Sequence, residues 1–158
     1  MDVVLYEPEI PPNTGTISRL CAGFEIPLHL IKPLGFSLED KQLKRAGLDY
    51  WEYVDLRLWE SYQTFMQETQ GQRKVYTSTK YGVPLHTFLF YATDMLVFGP
   101  ETRGLPIDIL EEANTYDTPT IVNIATRKEI RSLNLALTVG IVLYQAMRSA
   151  NIIYQKDR

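Results

Sequence analysis

Three polar segments hold the residues whose types and spacing could do chemistry. They run from Glu7 to Arg19, from Phe98 to Pro106 and from Asn123 to Leu135, and each follows a short apolar run. Ligands of open α/β sheets bind beyond the carboxyl ends of the strands, so three such segments could converge on one pocket. Taken singly, each is better explained as a surface turn with Gly, Pro and solvated charges.

Several common enzyme classes are excluded by the glycine, serine and histidine spacings. Gly99 and Gly104 have the spacing of a phosphate-binding loop, but Leu105 and Pro106 follow instead of Lys and Ser or Thr. No G-x-G-x-x-G follows a strand pattern, and neither G-x-S-x-G nor H-E-x-x-H occurs in the sequence. The chemistry is therefore not that of a P-loop enzyme, a Rossmann dehydrogenase, an α/β hydrolase or a zinc protease.

The two histidines are isolated in the sequence, and His29 and the single cysteine favour structural roles. His29 lies in a strand pattern, and Cys21 lies on the apolar stripe of a predicted helix, where a free Cys behaves as a small hydrophobe. One cysteine supports neither an internal disulfide nor a cysteine metal cluster, and it suits a reducing cytosol. We expect no metal.

Alternating strand and helix patterns must position the three segments. Short apolar or β-branched runs predict buried parallel strands at residues 3–6, 28–31, 74–77, 95–98 and 120–124, with a further possible strand at 51–54. Helices are predicted from a cap at Asn13 or Thr14, from a Ser37–Asp40 capping box to Arg45, and over residues 59–69, 106–113 and 133–149. This alternation predicts an α/β domain with a mainly parallel sheet flanked by helices.

The last predicted helix is apolar on nearly all sides. Ala136, Val139, Gly140, Leu143 and Met147 form one stripe, and Leu137, Ile141 and Tyr144 form a second stripe beside it. A helix with two apolar stripes is buried on two sides. The second cover is either a neighbouring element of the same chain or another subunit, and we favour a homodimer.

Length and charge limit the class of protein. The 158 residues fit one domain, 1–158, and 16 Lys and Arg against 19 Asp and Glu give a net charge of −3. That balance excludes indiscriminate binding to nucleic acid, which needs many cation–phosphate contacts. The acidic N-terminus and the lack of a long apolar run predict a cytoplasmic protein without a membrane segment.

Taken together, the segments resemble a known family. L-Y-E-P-E-I-P-P-N-T-G at 5–15, closing with Arg19, is similar to the first motif of the SPOUT superfamily of knotted RNA methyltransferases. F-G-P-E-T-R-G-L-P at 98–106 and R-S-L-N-L-A at 131–136 are similar to its second and third motifs. Together with residues 35–50, they resemble the SpoU-like branch that 2′-O-methylates the wobble nucleotide, position 34, of tRNA.

The resemblance implies a fold, a cofactor and partners. The α/β sheet would carry a deep C-terminal trefoil knot, a rarity that no composition argument predicts. S-adenosylmethionine would bind in the knot loops, and the enzyme would be a homodimer that acts on the anticodon stem-loop of tRNA without a metal. The dimer agrees with the two-sided last helix.

The resemblance also implies site residues. Residues carried over as S-adenosylmethionine contacts are Thr77, Gly99, Val122, Ile124, Ser132 and Leu133. The third loop is longer than the family pattern and has Asn123 where Pro is common, so Val122 and Ile124 are alternatives. Those carried over to the active site are Arg19, Glu101 and Asn134.

Roles follow from the chemistry of these side chains. Arg19 would bind the phosphate beside the target ribose and stabilise the developing alkoxide, since an Arg stays protonated and is a poor base. Asn134 would orient the 2′-OH, and Glu101 would order its loop or Arg103. RNA contacts are expected at two basic clusters, which alone are more often solvated surface: Lys41, Lys44 and Arg45, and then Arg127, Lys128 and Arg131.

Other functions remain open on the sequence alone. A SPOUT methyltransferase could act on ribosomal RNA or on another tRNA position. A non-catalytic S-adenosylmethionine- or RNA-binding protein is disfavoured by the joint presence of Arg19, Glu101 and Asn134. A generic α/β small-molecule binder is the remaining alternative.

Overall fold

A computed structural model describes residues 1–39, 50–115 and 120–152. Its strands are β1 (Asp2–Tyr6), β2 (Leu28–Ile31), β3 (Leu56–Trp59), β4 (Lys74–Thr77), β5 (Val83–Pro84), β6 (Met95–Phe98) and β7 (Ile121–Asn123). Its α-helices are α1 (Pro11–Phe24), α2 (Tyr62–Glu68), α3 (Ile107–Ala113) and α4 (Leu135–Ser149). Short 3₁₀ helices span Trp51–Tyr53 and Leu85–Thr87.

The seven strands form one parallel sheet, in the order β3-β2-β1-β6-β4-β7-β5. The five predicted strands are confirmed, apart from shifts at their ends. The possible strand at 51–54 was wrong, because that segment begins with a 3₁₀ helix and the strand starts at Leu56. The two-residue strand β5 is too short to give a sequence pattern.

Helices cover both faces of the sheet, which confirms the predicted α/β class. On one face, Ile17 of α1 and Leu143 of α4 pack with strand residues such as Leu5. On the other face, Phe65 of α2 and Ile109 of α3 complete a second cluster. A parallel sheet buried on both faces requires the nearly continuous apolar strands seen in the sequence.

Helix α1 begins before the predicted cap. Ile10 is its N-cap residue and Pro11 its first residue, a position where a missing N–H costs nothing. Asn13 and Thr14 lie buried inside the first turn, so the prediction that one of them caps the helix was wrong. The Asn13 amide instead makes contacts with the two other motif segments, described below.

The predicted start of α2 was also wrong. Trp59 ends β3, and Ser61 is the N-cap, with its Oγ accepting a hydrogen bond from the Thr64 backbone N–H at 3.1 Å. Helix α3 begins at Ile107, one residue later than predicted, because Pro106 is its N-cap residue. The predicted helix from the Ser37–Asp40 capping box to Arg45 lies almost wholly outside the described residues.

Helix α4 has one covered and one uncovered apolar stripe. Val139, Leu143 and Met147 are buried against the sheet and α1. Leu137, Ile141 and Tyr144 remain 64%, 45% and 54% exposed. The two predicted stripes are therefore present, and only the first is covered by the residues that the structure describes.

His29 and Cys21 have the structural roles that their sequence positions predict. The buried His29 ring lies 3.1 Å from Asp2 Oδ2 and accepts a hydrogen bond from Trp59 Nε1 at 3.0 Å. Burial raises the pKa of the Cys21 thiol to about 12, which makes it a poor nucleophile.

The described part of the chain contains neither a membrane-spanning helix nor a cluster of metal-binding side chains. No described helix combines the length and apolar character needed to cross a membrane. Within the same ranges, no group of three or more His, Cys, Asp or Glu side chains is arranged to hold a metal ion.

Candidate functional site

The first two motif segments meet at the carboxyl edge of the sheet, as the sequence predicts. They follow β1 and β6, which are neighbouring strands with Leu5 opposite Phe98. Across this edge, the Glu101 carboxylate accepts hydrogen bonds from the backbone N–H groups of Glu9 at 2.8 Å and Ile10 at 3.2 Å. These N–H groups lie at the start of α1, where the helix dipole favours a negative charge. Glu101 therefore fixes the start of α1 to the loop that follows β6, residues 99–106, which we call the β6 loop.

The third segment joins them through Asn13. The Asn13 side-chain amide donates to Glu101 Oε1 at 3.1 Å, and its Oδ1 accepts from Asn134 Nδ2 at 2.9 Å. Asn134 Oδ1 in turn accepts from the backbone N–H groups of Ala136 and Leu137, which makes Asn134 the N-cap of α4. We call this chain of bonds, Glu101–Asn13–Asn134, the motif link.

The motif link contains one residue that the sequence interpretation missed. Asn13 was considered only as a helix cap, although its position inside a long polar motif is itself a signal. It is buried, so loss of its amide would leave the groups of Glu101 and Asn134 that it contacts without those bonds.

The β6 loop is held a second time by acidic side chains of the first segment. Glu9 Oε2 accepts hydrogen bonds from the Thr102 hydroxyl at 2.6 Å and from its backbone N–H at 3.1 Å. These bonds, with the Arg103 charge, outweigh burial and lower the pKa of Glu9. Arg103 forms ion pairs with Glu7 and Glu9. Its charge is thus balanced by carboxylates of the same chain.

Three of the predicted cofactor residues lie at adjacent strand ends. Thr77 ends β4 opposite Val122 of β7, and its hydroxyl donates to the Val97 carbonyl of β6 at 3.2 Å. Gly99 follows directly after β6. A Cβ on Gly99 would lie 2.3 Å from the Leu105 backbone nitrogen, so only glycine lets the loop fold back so closely.

The remaining predicted cofactor residues lie along the third segment. Ile124 is half-buried just after β7, Ser132 is exposed and Leu133 is half-buried. Ser132 and Leu133 directly precede Asn134, so the motif link fixes the end of the loop that carries them. The structure gives neither of them a hydrogen bond to Thr77 or Gly99 within the described ranges.

An open cavity of about 630 Å³ lies beside the third segment. Its walls come from the Leu85–Thr87 3₁₀ helix and its flank, from residues 123–125 and from the uncovered side of α4. They are formed by Pro84, Leu85, His86, Asn123, Ile124, Ala125, Gly140, Ile141, Tyr144 and Gln145. Of the predicted cofactor residues, only Ile124 lines it.

Arg19 lies apart from the motif link. Its side chain is exposed on α1 and donates from Nη2 to the Tyr50 hydroxyl at 3.3 Å. The guanidinium carbon lies 4.6 Å from the centroid of the Tyr50 ring, within cation–π range. Among the described residues it contacts neither Glu101 nor Asn134, so the three predicted active-site residues are not in direct contact.

The predicted RNA-binding residues are only partly described. Lys41, Lys44 and Arg45 lie outside the described residues. Arg127, Lys128 and Arg131 are all exposed in the loop between β7 and α4. They therefore belong to the exposed part of the third polar segment.

Comparison with known proteins shows similarity along almost the whole chain. The sequence profile of the SpoU rRNA Methylase family matches residues 1–144. A tRNA (cytidine(34)-2′-O)-methyltransferase of Methylovorus glucosotrophus is 48% identical over 147 residues, covering 93% of this chain and 94% of that protein. The protein of the same name from Escherichia coli K12 is 44% identical, covering 94% and 92%.

Solved structures of RNA methyltransferases are also similar to this chain. A structure described as concerning the 2-OH methylation of C/U34 on tRNA has a TM-score of 0.87 and 44% identity, covering 95% of each chain. An AdoMet-bound rRNA methyltransferase from Sinorhizobium meliloti has a TM-score of 0.80 and 25% identity, covering 92% of this chain and 55% of that one.

Proposed function

The chain belongs to the SpoU rRNA methylase family, and we propose that it methylates the ribose 2′-OH of the wobble nucleotide, position 34, of tRNA. The methyl donor is S-adenosylmethionine. One structural observation carries the proposal: the motif link joins all three family motifs at one edge of the sheet. The likeness to wobble methyltransferases over almost the whole chain supports the substrate.

The strand-end residues have the chemistry that the cofactor needs. The adenine of S-adenosylmethionine needs an apolar slot with peptide hydrogen bonds, and strand-end loops can supply both. Ile124 is half-buried and supplies apolar surface, Val122 beside it is buried in the core, and Gly99 keeps the backbone free of a side chain where the β6 loop folds back. We propose Thr77, Gly99, Val122, Ile124, Ser132 and Leu133 as the residues that hold it.

When bound, S-adenosylmethionine supplies a methyl group on a positively charged sulfur, which is already a good leaving group. The chain's own residues must align the ribose oxygen with that methyl and stabilise the charge on the oxygen as its proton leaves. Arg19 stays protonated, so its role is to bind the phosphate next to the target ribose and stabilise the alkoxide. A phosphate oxygen or water accepts the proton.

Glu101 and Asn134 act mainly through position. The Glu101 carboxylate holds the start of α1, the helix that carries Arg19. Asn134 commits its oxygen and one N–H to the α4 cap and to Asn13. Its second amide N–H is the group we assign to orient the 2′-OH.

RNA binding is local in this proposal. The net charge of −3 leaves no broad basic surface, but Arg127 and Arg131 are exposed in the loop next to the motif link. We assign them, with Lys41, Lys44 and Arg45, to the anticodon stem-loop, whose unstacked bases suit a shape-selective pocket.

We also propose that the working enzyme is a homodimer. Burying an apolar side chain of this size contributes roughly 1.5–3 kcal/mol, and α4 leaves Leu137, Ile141 and Tyr144 uncovered in a row. A second copy of α4 offers a matching apolar surface. With the dimer we propose a single SPOUT domain over 1–158, the deep C-terminal trefoil knot of the superfamily and a cytoplasmic location.

The function is tested with labelled S-adenosylmethionine and tRNA transcripts. Transcripts that carry C34 or modified U34 in the anticodon should accept label, and a matched transcript with a 2′-deoxynucleotide at position 34 should not. Equal labelling of the transcript with a 2′-deoxynucleotide at position 34 would show that the enzyme methylates another position. Labelling of ribosomal RNA instead of tRNA would favour the rRNA alternative, and binding without any transfer would favour a non-catalytic protein.

A further inference from the structure

Arg19 is held in place by an aromatic ring. We infer that Tyr50 is a positioning residue for Arg19, fixing its guanidinium for the phosphate and the 2′-oxygen of the target nucleotide. This inference rests on the proposed function, in which Arg19 stabilises the transition state. It assigns a role to a tyrosine that lies outside the three motif segments.

The position of Tyr50 is set by its own backbone. Its carbonyl accepts a hydrogen bond from the Tyr53 N–H at 3.0 Å, closing the 3₁₀ helix Trp51–Tyr53 that packs against α1. Tyr50 is 38% exposed, so it lies at the surface, as the Arg19 side chain on α1 does. The ring presents both its face, 4.6 Å from the guanidinium carbon, and its hydroxyl, 3.3 Å from Nη2.

Three other described arginines are held by carboxylates, and one of them, Arg73, also lies over the Phe88 and Tyr91 rings. Arg73 is paired with Asp94, Arg57 with Asp55, and Arg103 with Glu7 and Glu9. Within the described residues, Arg19 pairs with no carboxylate. A carboxylate would orient the guanidinium but neutralise it, whereas an aromatic face orients it and leaves its full charge for a phosphate.

Orientation matters because an exposed Arg loses roughly 2 kcal/mol of side-chain entropy when it is fixed. A side chain already resting on Tyr50 has lost part of that freedom before RNA binds. The benefit should appear in the methyl-transfer step, where geometry is most demanding, more than in the affinity for tRNA.

The test compares three variants in single-turnover methyl transfer at saturating tRNA and S-adenosylmethionine. Tyr50→Leu should lower the rate constant about 3- to 30-fold, the range that corresponds to loss of a cation–π contact. Tyr50→Phe, which keeps the ring, should stay within about 3-fold of wild type. Tyr53→Leu, an exposed tyrosine on the same 3₁₀ helix, should change the rate by less than about 2-fold.

A coupling measurement separates positioning from a merely structural role. The Arg19→Lys background keeps the charge but loses the planar group. In it, Tyr50→Leu should lower the single-turnover rate constant by less than about 2-fold, because the two residues act as a unit. Dissociation constants for tRNA and S-adenosylmethionine should stay within about 2-fold of wild type in Tyr50→Leu. Tyr50→Met serves as the second variant if Tyr50→Leu does not fold.

An activity-independent readout keeps this inference apart from the proposed function. In nitrogen-15 arginine-labelled protein, the Arg19 side-chain resonances should be displaced by the Tyr50 ring current and should move in Tyr50→Leu but not in Tyr53→Leu. Absence of methyl transfer by the wild type overturns the proposed function, and the Arg19 resonances still show whether Tyr50 holds it. Unmoved resonances, a wild-type rate for Tyr50→Leu, or an equal loss in Tyr53→Leu overturns the inference.

Discussion

At the residue scale, the proposed chemistry depends on one cation. Arg19 is exposed, pairs with no carboxylate among the described residues, and lies on a helix whose start is fixed by Glu101. The sequence identified Arg19 only by resemblance to a family motif, since a lone Arg in a helix pattern is usually surface charge. Its aromatic partner could not be predicted, because Tyr50 is 31 residues away and meets Arg19 only through the packing of a 3₁₀ helix on α1.

Replacement of Arg19 by Ala should leave S-adenosylmethionine binding intact and abolish methyl transfer. Arg19 has no hydrogen bond to any of the proposed cofactor residues, while the transition state loses its positive partner, typically about 10²–10³ in rate. Isothermal titration calorimetry and single-turnover assays measure the two effects.

The matched control is Arg57→Ala, which removes a surface arginine paired with Asp55 on the edge strand β3. It should retain activity, because an exposed ion pair contributes only about 0–1 kcal/mol. Loss of cofactor binding together with transfer in Arg19→Ala would contradict the role assigned to this side chain.

At the element scale, the strand ends and loops explain why the three motifs belong together. The apolar runs predicted five strands correctly, because a strand buried on both faces has few alternatives. The strand predicted at Trp51 to Val54 was wrong. Its aromatic and β-branched residues fit a strand pattern, but a hydrogen bond between Tyr50 and Tyr53 closes a 3₁₀ turn there. The predicted N-cap of α1 was wrong because the helix begins earlier, at two prolines. Asn13 therefore lies inside the helix, and its side chain takes part in the motif link.

Breaking the motif link should weaken the fold and the site together. Asn13→Ala leaves the Asn134 Nδ2 without its partner and removes one donor from Glu101, at a cost of about 1–3 kcal/mol of unfolding free energy. Because Asn13 and Asn134 share a bond, the double replacement by Ala should cost about 0.5–3 kcal/mol less than the sum of the single ones. Urea unfolding of the wild type, the two single variants and the double variant gives the four free energies of unfolding that this comparison needs. Strict additivity would mean that the two residues do not interact in solution.

Adding one methyl group to the β6 loop should damage cofactor binding. Gly99→Ala places a Cβ 2.3 Å from the Leu105 nitrogen, so the loop must move. We expect a loss of about 1–3 kcal/mol in stability and a comparable loss in affinity for S-adenosylmethionine, about tenfold or more. Thermal unfolding and calorimetry report on the two quantities.

Gly23→Ala is the internal control, because nothing lies within 4 Å of a Cβ added there. In the helix α1 this change should be neutral or stabilising by up to about 1 kcal/mol. If Gly99→Ala behaved like Gly23→Ala, the tight approach of Leu105 to Gly99 would not matter for the site.

At the scale of the whole molecule, the sequence predicted a last helix that is buried on two sides, and the described residues of one chain bury only one of them. The two apolar stripes of α4 were visible in the residue pattern, and the structure leaves one of them uncovered. The proposed knot rests on the family resemblance alone, since periodicity describes elements and not the order in which the chain threads through them. The charge of −3 excluded a broad RNA-binding field, although local basic residues remain at the site.

A charge in the uncovered stripe should separate the proposed dimer. Ile141→Asp places a carboxylate in the middle of the row formed with Leu137 and Tyr144, where it would be buried without a partner. Sedimentation velocity should show a dimer for the wild type and a monomer with reduced methyl transfer for the variant. Leu58→Glu, at an exposed leucine on the edge strand β3, should stay dimeric, and a dimeric Ile141→Asp would contradict the interface.

The central claim, methylation of the wobble ribose, is tested most directly by nucleoside mass spectrometry of tRNA. Total tRNA from cells lacking such an enzyme is incubated with the purified protein and labelled S-adenosylmethionine, digested, and mapped by position. We predict labelled 2′-O-methylcytidine or 2′-O-methylated modified uridine at position 34, and none with Arg19→Ala. Wild-type protein that leaves position 34 unmethylated, or that methylates a different position, would contradict the account.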